Sequence, residues 1–176
     1  PADLREAVMD LFALPARNKG ITLTVSLGAG LPARVLADEV RLRQIVFNLV
    51  GNAVKFTDTG SVRLDISPAS SRFDAAFRVL FTVSDTGIGI ADDQLDGIFE
   101  PFGQVEGVYV RRFGGAGLGL SIVRRLVRLM GGEIAVESFV GSGTSIVVSL
   151  PLARTGGDVA EVAAIPRPLA AGPGLR

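Results

Sequence analysis

Glu39-Val40-Arg41-Leu42-Arg43-Gln44-Ile45-Val46-Phe47-Asn48-Leu49-Val50-Gly51-Asn52-Ala53-Val54-Lys55-Phe56 reads as a helix that is apolar on nearly every side. Leu42, Ile45, Val46, Leu49, Val50, Ala53 and Val54 recur at three- and four-residue intervals, and a helix this greasy has to be buried by its neighbours. Asp38 stands where an N-cap is needed. One polar stripe crosses the apolar surface: Gln44, Asn48 and Asn52 at i, i+4 and i+8, with Lys55 three residues on. A solvent face accounts for such a stripe as well as a site does. Solvent faces, however, favour Glu, Lys and Arg, whereas Asn is a poor helix former that offers a paired donor and acceptor. Lys55 is one of only two lysines among 18 Lys+Arg, and its compact charge suits a phosphate.

Working outward, Asp3 is placed to cap a helix carrying Leu4, Val8, Leu11 and Phe12, with Asn18 and Gly20 as stop signals and Pro15 weakening the last turn. Ile21 to Leu27 alternates as a half-buried strand. Ser61 to Ser67 and Phe77 to Asp85 read as antiparallel neighbours across a Ser/Pro/Ala turn region. Asp92 is placed to cap a short helix through Leu95 and Ile98. Glu100 to Gly115 has no periodicity and holds four glycines, the composition of a mobile loop. A third helix from Ala116 carries Leu118, Ile122, Val123, Leu126, Val127 and Met130 and stops at Gly131-Gly132. Glu133 to Ser138 and Thr144 to Leu150 form a hairpin through Gly141-Ser142-Gly143. The pattern predicts an α+β fold of two layers, a mixed, mostly antiparallel sheet packed on helices. It spans residues 1–152, and 153–176, rich in Ala, Pro and Gly, is expected to be a disordered tail or linker.

Composition narrows the chemistry. The 176 residues carry 18 Lys+Arg against 18 Asp+Glu, no His and no Cys. Zero net charge supplies no field to draw the chain onto nucleic acid or anionic lipid. Without His or Cys there is no disulfide, no Cys/His zinc site and no His-based hydrolytic triad. The first residues show neither the basic nor the apolar region of a secretory signal, and no apolar run is long enough for a membrane span. Thirteen of the 22 glycines fall between Gly87 and Gly143, so the unusual backbone is concentrated there.

Two glycine-rich stretches carry candidate chemistry. Asp85-Thr86-Gly87-Ile88-Gly89 puts a carboxylate at the exit of a buried strand. A turn Asp is the common reading, and an aspartic-protease Asp-Thr-Gly is a sharper one, although it needs a second such carboxylate and sits badly with long amphipathic helices. Gly114-Gly115-Ala116-Gly117-Leu118-Gly119-Leu120 leads directly into a helix, aiming backbone amides and a helix N-terminus at one point, as an anion site requires. It matches neither the Walker pattern nor Gly-x-Gly-x-x-Gly, since Ile122 occupies the third glycine's place.

Taken in order, Asn48 to Thr57, Asp85 to Ile90, Phe99-Glu100-Pro101-Phe102, Gly115 to Leu120 and Gly141-Ser142-Gly143-Thr144 resemble the N, first glycine, F, second glycine and third glycine boxes of the ATP-binding domain of sensor histidine kinases. These belong to the GHKL superfamily, with type II topoisomerases, Hsp90 chaperones and MutL ATPases. The resemblance covers about Asp3 to Leu152 and implies a Bergerat-type fold that binds ATP and Mg²⁺. It implies that Asp85 accepts from the adenine amine, that Gly87 and Gly89 let backbone approach the base beside Ile90, and that Thr144 supports that end. Asn52 would be the magnesium ligand with Asn48 beside it, and Lys55 and Arg112 would reach the phosphates. Gly115, Gly117, Leu118, Gly119 and Leu120 would cradle the triphosphate, and Glu100 to Gly115 would be a lid hinged by Phe99 and Phe102. The chain has Ala116 where many relatives have Thr, and Gln104 where others have Arg.

In the superfamily's ATP hydrolases the Asn48 position is a Glu that serves as base for water, which an amide cannot do. The resemblance therefore implies the catalytic half of a two-component kinase. The phosphoacceptor histidine would lie on a dimerisation hairpin outside this chain, and a receiver domain or response regulator would follow. It implies a cytoplasmic, monomeric domain in a parent that is free to be membrane-anchored, with no nucleic-acid partner. A nucleotide-sensing module of the same fold without transfer activity is the alternative, and the intact Asn48, Asn52 and Lys55 weigh against it.

Overall fold

A computed structural model of the chain describes residues 1–69, 77–100 and 119–154. The elements run α1 (Ala2–Asn18), β1 (Ile21–Leu27), β2 (Val35–Leu36), α2 (Glu39–Phe56), β3 (Gly60–Ala69), β4 (Arg78–Asp85), α3 (Asp92–Leu95), α4 (Gly119–Leu129), β5 (Glu133–Phe139), β6 (Gly143–Pro151) and β7 (Ala153–Arg154). β1, β3, β4, β6 and β5 make a five-stranded sheet in that spatial order, and β2 pairs with β7 apart from it. Among the described residues only β1 and β3 pair in parallel; every other pair is antiparallel.

α2 lies at the centre of the core. The seven apolar residues named from its sequence are all buried, and they share one core with Val62, Leu64 and Ile66 of β3, Val79, Phe81 and Val83 of β4, and Ile146, Val148 and Leu150 of β6. Burying a side chain of this size contributes about 1.5–3 kcal/mol, so α2 is held by packing rather than by propensity. α1 adds Leu4 and Val8, and α4 adds Val123 and Val127, closing a helix layer over one face of the sheet. Asp38 caps α2 as expected, its carboxylate accepting from Arg41 N–H at 3.1 Å.

Local differences from the sequence reading have plain causes. α1 continues through Pro15 to Asn18, because Pro15 forgoes only its own N–H and the buried Ala16 anchors the turn beyond it. Its N-cap is Pro1, with Asp3 in the first turn, where an acid favours the helix dipole without capping. α3 likewise begins at Asp92 with Ala91 before it. β7 lies past Leu152, pairing Ala153 with Leu36 and Arg154 with Val35.

Candidate functional site

Strand alternation sets one end of the site. In β4 the inward residues Val79, Phe81 and Val83 are followed on the same face by Asp85, and in β6 Ile146, Val148 and Leu150 share their face with Thr144. The register puts Ser138, Thr144, Asp85 and Val62 in one row across β5, β6, β4 and β3. The row ends the helix-facing core with polar groups. Asp85 Oδ1 accepts from Gly87 N–H at 2.8 Å, and the carboxylate also accepts from the Thr144 backbone N–H. Burial pushes the Asp85 carboxyl above the usual carboxylate range, and the two N–H donors pull back only part of the way.

The Asp85–Gly89 loop is tied to the end of α2. Ile88 N–H donates to the Phe56 carbonyl at 3.4 Å, and Gly141 N–H donates to the Ile88 carbonyl at 2.8 Å. A Cβ on Gly87 would run into the Phe56 carbonyl and come within 2.8 Å of Asp85 Oδ1. Gly89, at φ +68°, would collide with the Phe139 carbonyl. Both glycines thus let this loop approach the protein's own backbone, which adds a structural demand to the approach of a base expected from the sequence.

The other end is built on the polar stripe. Asn48 Nδ2 donates to the Gln44 carbonyl at 2.8 Å, which turns its Oδ1 outward from α2. Gly119, the first described residue of α4, sits against both amides: a Cβ there would stand 3.4 Å from Asn48 Oδ1 and 3.5 Å from Asn52 Nδ2. The structure therefore brings Asn48, Asn52 and the start of the glycine-box helix together. Lys55 is one turn nearer the C-terminus, its ammonium 5.0 Å from the centroid of the Phe56 ring. Phe99 lies in the turn after α3, half-buried beside the buried Ile98. Phe102, Arg112, Gly115, Gly117 and Leu118, and the lid from 101 onward, lie outside the described residues.

Three contributors escaped the sequence reading. Lys19 Nζ donates to the carbonyls of Val54 and Lys55 at 2.8 and 2.9 Å, capping α2 from the end of α1. Arg124 of α4 pairs with Glu100 at 3.2 Å, joining the glycine-box helix to the start of the expected lid. Ser138 accepts from Ile90 N–H at 2.8 Å and so ties β5 to the Asp85 loop. Only Ser138 left a signal, as a polar residue at an inward position after Ile134 and Val136. A cavity beneath Leu42, Ile66, Val79, Phe81 and Leu152, and a groove along Phe12, Pro15, Gly51 and Val54, involve neither Asp85 nor Asn52. Cavity shape is a poorer guide here than the strand register.

The donor set fits a nucleotide with a hard metal ion. It offers a carboxylate at one end for an amine, and at the other two carboxamides next to a helix start. No group of three or more His, Cys, Asp or Glu stands ready for a metal among the described residues. An ion here would rest on amide oxygens and on oxygens carried by the ligand.

A carboxylate at a strand exit, an asparagine pair on a buried helix and a glycine-led helix beside them lie in one two-layer α+β fold, as expected of the ATP-binding domain that the sequence resembles. Residues 37–154 match the model of the histidine kinase-, DNA gyrase B- and HSP90-like ATPases, and the chain belongs to that family. It is 43% identical over 152 residues to the autoinducer 2 sensor kinase/phosphatase LuxQ of Vibrio parahaemolyticus, covering 86% of this chain and 18% of that protein. To the hybrid signal transduction protein dokA of Dictyostelium discoideum it is 47% identical over 135 residues, covering 76% of this chain and 8% of that one. The chain thus spans less than a fifth of these relatives. Among solved structures, full-length ShkA in complex with AMPPNP superimposes with a TM-score of 0.74 at 41% identity, covering 88% of this chain and 30% of that one. The catalytic domain of the histidine kinase ThkA gives 0.66 at 27% identity, covering 85% and 91%. Within the family, the chain is an ATP-binding catalytic domain of the histidine-kinase kind. Among the described residues no helix is long and apolar enough to cross a membrane.

Proposed function

We propose that this domain holds Mg·ATP and presents its γ-phosphoryl to a histidine on a separate helical hairpin of the parent protein. In this reading Asp85 and Thr144, with the Gly87–Ile90 backbone, take the base, while Asn52 and Asn48 face the metal and triphosphate. Lys55 and Arg112 neutralise phosphate charge, and Phe102 with Gly115, Gly117, Leu118, Gly119 and Leu120 encloses the rest. Bound Mg²⁺ would supply charge stabilisation of the transferring phosphoryl. The residues' own work is positioning and electrostatics, since phosphoryl transfer asks little covalent chemistry of a protein.

The observation that carries the reading is the junction of Asn48, Asn52 and Gly119. Two neutral amides stand where a water-activating base would be needed for hydrolysis, and a carboxamide cannot accept a proton at neutral pH. The domain is therefore suited to holding ATP for another nucleophile, and a chain without histidine must receive that nucleophile from elsewhere. The multidomain sensor and hybrid kinases among its relatives support a hairpin partner and a downstream receiver. The resemblance also supports a cytoplasmic setting and a monomeric fragment.

The test separates the two ends of the nucleotide. Asn52→Ala should bind ADP in EDTA nearly as the native chain does, yet lose most of the affinity that Mg²⁺ adds. Asp85→Asn should lose affinity in both conditions. Calorimetric titration with ADP in EDTA and in Mg²⁺ gives the needed comparison. Equal losses for Asn52→Ala with and without metal would return the polar stripe to a structural role.

A further inference from the structure

Ser138 belongs to no assigned role, yet it is the most completely bonded hydroxyl at the base end of the site. It is 4% exposed and stands beside Thr144 in the row that continues to Asp85. Its Oγ has three partners: Ile90 N–H at 2.8 Å, the Gly143 carbonyl at 3.0 Å and Thr144 Oγ1 at 2.8 Å. A serine hydroxyl has one hydrogen and two lone pairs. The carbonyl of Gly143 can only accept, so it takes the Ser138 hydrogen. Ile90 N–H can only donate, so it takes one lone pair. The remaining lone pair faces Thr144, whose hydroxyl must then be the donor of that bond.

We infer that Ser138 is a positioning residue for base selection: by holding the Thr144 hydrogen, it leaves Thr144 with only lone pairs to offer a ligand. The inference rests on the assignment of Asp85 and Thr144 to the base. With the Asp85 carboxylate next to it, this end of the row then presents acceptors from both side chains. Such an edge takes the exocyclic amine of a 6-aminopurine and rejects a 6-oxopurine, whose carbonyl would face oxygen lone pairs. Removing the Ser138 hydroxyl frees the Thr144 hydroxyl to rotate and donate to that carbonyl. The group that decides between adenine and hypoxanthine would then lie two strands from Asp85 without touching the base.

The experiment compares ADP with IDP, which differ at the 6-position edge, in the native chain and in Ser138→Ala, Thr144→Val and the double variant. The native chain should prefer ADP. Ser138→Ala should narrow the ADP/IDP affinity ratio by roughly tenfold, the value of one hydrogen bond of ordinary strength. Thr144→Val should narrow it too, and the double variant should show the Thr144→Val ratio with no further change, because Ser138 acts through Thr144. Loss of ADP affinity with an unchanged ratio in Ser138→Ala would make Ser138 a structural residue only, and overturn the inference. Ratio effects that multiply in the double variant would overturn it as well. If Ser138→Ala does not fold, Ser138→Cys, a much weaker hydrogen-bonding group at the same position, carries the same comparison. Failure of the underlying assignment reads differently: the native chain would then show no preference for ADP over IDP, and Asp85→Asn would not alter binding.

Discussion

Asp85 and Thr144 face each other across β4 and β6, and the Thr144 backbone N–H donates to the Asp85 carboxylate. The pair sits where the apolar rows of both strands end, so the fold's core and its candidate base site share one face of one sheet. An ionised carboxylate at the rim of a core is costly unless something pairs with it. Two backbone donors meet part of that need, and a ligand amine would meet more.

Asp85→Asn is therefore expected to weaken ADP binding by roughly 10- to 150-fold, the value of about 1.5–3 kcal/mol for a hydrogen bond to a charged group. GTP should compete poorly with ATP on the native chain. Equal affinity for ATP and GTP would reduce Asp85 to a turn residue.

The same burial predicts a pH dependence. With its carboxyl raised in the folded state, Asp85 binds a proton there before the unfolded chain does as pH falls, so its contribution to stability declines as pH rises through that window. Carboxylates common to the native chain and Asp85→Asn cancel in a comparison. Chemical unfolding of both from acid to neutral pH should show the Asn variant gaining on the native chain through the carboxylate range, then a constant difference. A difference that shrinks with rising pH would mean that the Gly87 and Thr144 donors outweigh the burial.

Lys19 should matter to stability through α2. Its ammonium satisfies two terminal carbonyls, of Val54 and Lys55, and also lies 3.7 Å from Asp58. Lys19→Met keeps the stem and removes the charge, and should cost about 1–3 kcal/mol. Urea unfolding would show it as a lower midpoint at unchanged slope. A midpoint within error of the native value would mean that solvent serves those carbonyls equally well.

What could be read from the sequence depended on how local the cause was. α2 was legible from end to end because its cap, Asp38, and its apolar spacing lie within its own residues. The antiparallel pairing of β3 with β4 followed from two alternating runs and a turn region. β2 and β7 were not legible, since two residues cannot show a period and their partners lie more than a hundred positions apart. Asn48 and Asn52 announced themselves by spacing, but their contact with Gly119 joins two helices far apart in the chain. Lys19 carried no signal because its partners belong to α2, and Ser138 read only as a strand residue because its bond to Ile90 spans 48 positions.

In the proposed function this chain keeps ATP from water and gives its phosphoryl to a histidine supplied by another domain. Incubating the chain with γ-labelled ATP and Mg²⁺, alone and with the parent protein's histidine-bearing hairpin, tests it most directly. The expected outcome is no label on this chain, negligible release of phosphate, and acid-labile, alkali-stable label on the hairpin that Asn52→Ala largely abolishes. Steady hydrolysis by the chain alone, lost in Asn48→Ala, would contradict it and make the domain an ATPase.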